Sequence, residues 1–151
     1  AYLVKTIYLL NGTAHIYLPK FEPELFEDTQ STLDVLGKKG CTHSILSAQN
    51  TATLHQSVEY YNLHNIFDHI SGLDDYYATG KIEQGKKLIQ NLNYNKDEII
   101  MVGDTEHDYA VAQEMGIKCF LMDRGHNSTR RLQYRQPQVF SSFSQLLGKL
   151  S

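Results

Sequence analysis

Ile99-Ile100-Met101-Val102-Gly103-Asp104-Thr105-Glu106-His107-Asp108 is the stretch on which the fold turns. Four apolar residues in a row, three of them β-branched, read as a short strand buried on both faces, which is the habit of parallel sheets. Gly103 permits a sharp turn, and the acidic residues beyond it suit the first turn of a helix. Asp104 then projects from the strand end and Asp108 returns one helical turn later on the same side. Two carboxylates converging there suit a hard cation such as Mg²⁺, which takes oxygen ligands and retains several waters. Read alone, the acidic turn is equally satisfied by carboxylates that merely answer the helix dipole.

Outward from this stretch, short apolar runs alternate with helical patterns. Val4–Leu10, His43–Ser47, His69–Gly72, Ile99–Gly103 and Lys118–Met122 read as strands, with a short Val139–Phe140 later. Helices are expected over Phe26–Lys38, Thr51–Tyr61, Lys81–Leu92, Thr105–Glu114 and Ser141–Lys149, with Gly37, Gly40 and Gly116 as stops. Such alternation predicts an α/β fold, a doubly wound parallel sheet of Rossmann-like type in the order 5-4-1-2-3. Ligands of such sheets sit at the carboxyl ends of the strands.

Composition narrows the function classes. The chain has 151 residues, a formal charge of −3 and no strongly basic stretch, so nothing draws it to nucleic acid or an acidic membrane. Aromatic and basic residues do not interleave as a single-strand nucleic-acid surface requires. No apolar run approaches a membrane span, and no leader pattern is read at the start. Cys41 and Cys119 are expected to be reduced thiols of a cytoplasmic protein. The seven histidines show no metal-ligand spacing.

Two further residues fall where ligands are expected. Ser47 ends an apolar strand just before a helix, where a hydroxyl and free backbone N–H groups can hold a phosphate oxygen. The plainer reading of Ser47 is a helix cap or a solvated serine. Lys81 opens a helix, the wrong end for a cation by the helix dipole, so its placement calls for a negatively charged partner such as phosphate.

Taken in order, Ile45-Leu46-Ser47-Ala48, Phe67-Asp68-His69-Ile70-Ser71-Gly72-Leu73-Asp74, Gly80-Lys81 and Val102-Gly103-Asp104-Thr105-Glu106-His107-Asp108 resemble the haloacid-dehalogenase-like (HAD) superfamily. The resemblance runs from about Leu25 to the C-terminus and is nearest to the phosphoglycolate-phosphatase-like branch, which Gly125-His126 and Gly116-Ile117 also fit. It implies a Mg²⁺-dependent phosphomonoester phosphatase acting on a small phosphorylated molecule. It further implies that Ser47 and Lys81 hold the phosphoryl group, that Asp104 ligates Mg²⁺ and that Asp108 supports the metal.

The first motif departs from the family. Members begin with a strand ending Asp-x-Asp-Gly-Thr, whose first aspartate attacks phosphorus and whose second serves as general acid and base. The corresponding stretch here, Tyr8-Leu9-Leu10-Asn11-Gly12-Thr13, puts Leu9 at the nucleophile and Asn11 at the acid/base. Asn-Gly between two apolar runs is also a hairpin signal, so Thr6–Leu18 reads either as this degenerate motif or as a hairpin. Both readings leave the nucleophile missing, and with it the expectation of turnover. The family's helical cap is also missing. The chain is expected to be one core domain over 1–151, with a cap absent or reduced to about 14–24. The chain reads either as a reduced relative or as a core from which the cap and the true first motif have been lost. A catalytically impaired phosphatase and a non-catalytic phosphate-binding or regulatory module both fit this pattern.

Overall fold

In a computed structural model the described residues are 3–5, 28–73, 79–123 and 138–150. They form a six-stranded, wholly parallel sheet of β1 (Leu3–Lys5), β2 (His43–Asn50), β3 (His69–Leu73), β4 (Ile99–Gly103), β5 (Lys118–Met122) and β6 (Gln138–Phe140). The helices are α1 (Thr29–Lys38), α2 (Thr51–Tyr60), α3 (Thr79–Gln90), α4 (Glu106–Met115) and α5 (Phe143–Leu150). The spatial order is β3-β2-β1-β4-β5-β6, which sets β6 beyond β5 as an edge strand outside the five-strand expectation. Residues 6–10 of the expected first strand lie outside the described residues, as do Leu9, Asn11, the possible hairpin and the cap relic at 14–24.

Strand periodicity builds the two layers. Side chains two apart share a face, so β4 and β5 each divide their apolar residues between two cores. Ile100, Val102, Phe120 and Met122 pack with Leu33 and Leu36 of α1, Leu54 and Val58 of α2, and Phe143, Leu146 and Leu150 of α5. Ile99, Met101, Cys119 and Leu121 pack on the other side with Leu88 of α3 and Val111, Ala112 and Met115 of α4. All five residues of β4 are buried, which accounts for its unbroken apolar run. β1 lies between β2 and β4, pairing Val4 with His43 and Leu3 with Ile99.

One detail differs from the sequence reading. β2 does not stop at Ser47 but continues to Asn50 after an irregularity in its pairing with β3. Tyr60 and Tyr61 divide their roles: Tyr60 is exposed, whereas Tyr61 packs against the core. Asp28, just before α1, ties that helix to α5, its Oδ2 accepting the N–H of Phe143 at 3.3 Å.

Candidate functional site

Because every strand runs the same way, the carboxyl ends of β2, β3 and β4 share one edge of the sheet. Ser47 lies in the last part of β2, and Asp104 follows β4 directly. Lys81 and Asp108 stand in the first turns of α3 and α4, which leave that same edge after β3 and β4.

Asp108 organises the turn after β4. Its Oδ2 accepts the backbone N–H of Asp104 at 3.1 Å, the N–H of Thr105 at 3.1 Å and the hydroxyl of Thr105 at 2.8 Å. The Asp108 N–H in turn donates to Thr105 Oγ1 at 3.1 Å, closing a reciprocal cap at the start of α4. Its Oδ1 accepts from Lys81 Nζ at 2.6 Å. Gly103 makes this close approach possible: a Cβ there would lie 2.7 Å from both Cγ and Oδ2 of Asp108. One carboxylate therefore fixes the backbone direction of Asp104 with one oxygen and anchors α3 with the other.

The pair is withdrawn from water. Both side chains are 1% exposed, and Asp104 is 2% exposed. Burial pushes the Asp108 carboxyl up. The ammonium of Lys81 and the hydrogen bonds from Lys81, Thr105 and the Asp104 N–H together outweigh burial, holding Asp108 below the usual carboxylate range. Asp108 is thus a carboxylate at neutral pH. Behind it, burial raises the Cys119 thiol and the Asp108 charge adds to the rise, so Cys119 serves as core packing rather than as a nucleophile.

At the other side of the edge, Ser47 is half-buried and its Oγ accepts the N–H of Gln49 at 3.1 Å. That leaves the hydroxyl proton as the group Ser47 can offer to an anion. Some of the N–H groups near Ser47 are already engaged. Those of Ala52 and Thr53 at the start of α2 are taken by Asn50 Oδ1, at 3.0 and 3.3 Å. A short polar side chain preceding a helix satisfies those donors from within the chain.

Sequence reasoning singled out Ser47, Lys81, Asp104 and Asp108 but passed over Thr105, Asn50 and the contact between Lys81 and Asp108. Thr105 carried a usable signal, because Ser/Thr-x-x-Asp/Glu at a helix start is a capping pattern. His107, which sits inside the acidic turn, is exposed. Asp74, Asp75, Tyr76, Tyr77, Gly125, His126, Arg130, Arg131 and Arg135 lie outside the described residues.

The donor set tests the metal. Asp104 brings one carboxylate, whereas both oxygens of Asp108 already receive nitrogen and hydroxyl donors. No three of His, Cys, Asp and Glu gather to hold an ion among the described residues. Mg²⁺ takes an octahedral oxygen shell and keeps several waters, and among the described residues Asp104 is the side chain that could supply one of its ligands.

Comparison with known proteins gives a consistent picture. The profile of the haloacid dehalogenase-like hydrolases matches residues 11–122. The phosphoglycolate phosphatase of Aliivibrio fischeri is 27% identical over 130 residues, covering 84% of this chain and 57% of that protein. The pyrophosphatase PpaX of Halalkalibacterium halodurans is 28% identical over 128 residues, covering 82% of this chain and 59% of that protein. Among solved structures, a predicted phosphatase of Clostridium acetobutylicum superposes with a TM-score of 0.78 at 22% identity, over 84% of this chain and 60% of that one, a likeness of fold. The chain thus spans less than two thirds of each.

Proposed function

The chain belongs to the haloacid dehalogenase-like hydrolase family, in its phosphoglycolate-phosphatase-like branch, and on that premise we propose that it is a phosphomonoester phosphatase core that binds phosphate but does not turn it over. One observation carries the proposal: the buried Lys81–Asp108 pair, locked to the turn that presents Asp104. A lysine buried at a sheet's carboxyl edge is costly unless its charge is compensated, and a buried ionisable pair at such a place marks a candidate functional site. Ser47, late in β2, and Asp104, just after β4, lie on either side of β1, and two strand spacings amount to roughly 10 Å. A phosphoryl group fits that span, with the Ser47 hydroxyl donating to one oxygen and Lys81 offsetting the charge.

Chemistry at phosphorus is another matter. Leu9 offers no oxygen to attack, and Asn11 has no proton to give a leaving group. Loss of a nucleophile that works as part of a unit costs on the order of a millionfold in rate. In the family the first-motif aspartates and a Mg²⁺ ion supply that chemistry. In this chain Asp104 would be the ligand to such an ion, and Asp108 would act by positioning Asp104. The substrate class is a small phosphorylated molecule. The proposed setting is cytoplasmic, where Cys41 and Cys119 would stand as reduced thiols. Among the described residues no helix is long and apolar enough to cross a membrane.

The reading is tested by comparing the chain with Leu9→Asp/Asn11→Asp on a generic aryl phosphate with Mg²⁺. Turnover gained only by the double variant supports an inactive site on a competent scaffold. Turnover by the unmodified chain that disappears in Asp104→Asn overturns it. The absent nucleophile also favours a second reading, a phosphate-dependent regulatory module. In that case the unmodified chain binds inorganic phosphate, and restoring the aspartates adds no activity.

A further inference from the structure

The loop that carries Ser47 is not held by its own hydrogen bonds alone. β2 pairs Leu46 with Ser71 and next pairs Asn50 with Leu73, so β2 takes four steps where β3 takes two. The two extra residues push Ser47, Ala48 and Gln49 out of the regular ladder, as a bulge does. Gly72 sits opposite, between the two paired residues of β3, and is buried. A Cβ built on Gly72 would meet Gln49 O at 2.7 Å, Thr51 Cα at 2.7 Å and Thr51 N at 2.9 Å. All three are backbone atoms, so no side-chain rotation relieves the clash. Ordinary contact begins at 3.4 Å, so a methyl group here displaces the loop by about 0.7 Å.

We infer that Gly72 is a positioning residue for the phosphate site: its missing side chain is the seat on which residues 47–51 rest, and it sets where the Ser47 hydroxyl points. The inference rests on the proposed role of Ser47 for its functional consequence, but its structural content stands apart from that role. A displacement approaching 1 Å is large for a group that must meet one phosphate oxygen, because misplacement on that scale costs up to about a hundredfold where positioning carries the chemistry. Gly72 touches no substrate. It acts through the Gln49–Thr51 backbone, and Gln49 in turn engages Ser47 Oγ.

The test compares amide resonances and phosphate binding in the unmodified chain, Gly72→Ala, Ser47→Ala and Val111→Ala. The last is a core truncation in the layer formed with α3 and α4, and it controls for general destabilisation. In Gly72→Ala the largest shift changes should fall on residues 47–51, and affinity for inorganic phosphate should drop at least tenfold. Val111→Ala should keep both the resonances of that loop and the affinity. Ser47→Ala, which releases the Gln49 N–H, should shift the Gly72 amide, and this reciprocal arm holds even where Gly72→Ala does not fold. A Gly72 resonance indifferent to Ser47→Ala overturns the inference, as do loop resonances indifferent to Gly72→Ala. If instead the loop responds in both variants while the unmodified chain binds no phosphate, the positioning stands and the proposed phosphate site fails.

Discussion

Replacing Lys81 by methionine keeps the length of the side chain and removes its charge, leaving the Asp108 carboxylate buried without its ammonium partner. Both members are 1% exposed and 2.6 Å apart, so solvent cannot compensate for the loss. Removing one partner of a buried pair costs about 3–5 kcal/mol, because the other charge is stranded. A domain of this size has about 5–15 kcal/mol of stability in all, so the variant gives up a large part of it. At roughly 2–4 °C per kcal/mol the midpoint should fall by about 6–20 °C. The pH dependence should also change sign. In the unmodified chain Asp108 is held below its unfolded value, so its contribution is fully present above about pH 4 and is lost as pH falls through the folded value. Without Lys81, burial dominates and lifts the carboxyl above the unfolded value. Stability should then decline as pH rises from about 4 through that raised value. Urea unfolding followed by far-ultraviolet circular dichroism suits the measurement, since the chain has no tryptophan. Lys81→Met/Asp108→Asn should recover much of the loss, since no charge remains buried. A single variant within about 1 kcal/mol of the parent, with an unchanged pH profile, would refute the reasoning.

Two other substitutions probe the same edge. Gly103→Ala forces a methyl group against Asp108 Cγ and Oδ2, each 2.7 Å from the built Cβ. It should lower stability by about 1–3 kcal/mol as an overpacked site, and amide shift changes should centre on Asp104 and Thr105; unchanged resonances there would count against the packing described. Asn50→Ala frees the N–H groups of Ala52 and Thr53 and should cost about 1 kcal/mol in thermal unfolding; no loss at all would mean that the cap contributes nothing in solution.

Much of the architecture is legible in the chain itself because its signals are local. The apolar run Ile99–Val102, the turn at Gly103 and the helix-compatible stretch beyond it each report on a few neighbouring residues, and such patterns largely decide backbone state. The same holds for the placement of Ser47, Asp104 and the first turns of α3 and α4 at strand ends, which follows once strands and helices alternate. What the tertiary structure decided is how those residues are used. Lys81 and Asp108 are 27 positions apart, and nothing in the composition around either announces that they meet. Read from sequence, Lys81 is expected as a phosphate ligand and Asp108 as a support for a metal; the fold adds that the two touch each other, because two helices leaving one sheet edge bring their first turns together. The irregular end of β2 is likewise a product of pairing, since only β3 alongside shows that two residues are in excess and that Gly72 makes room for them. Leu9 and Asn11 stand on the opposite footing. Leucine has no nucleophilic oxygen in any fold, so what that position cannot do was determined by the sequence alone.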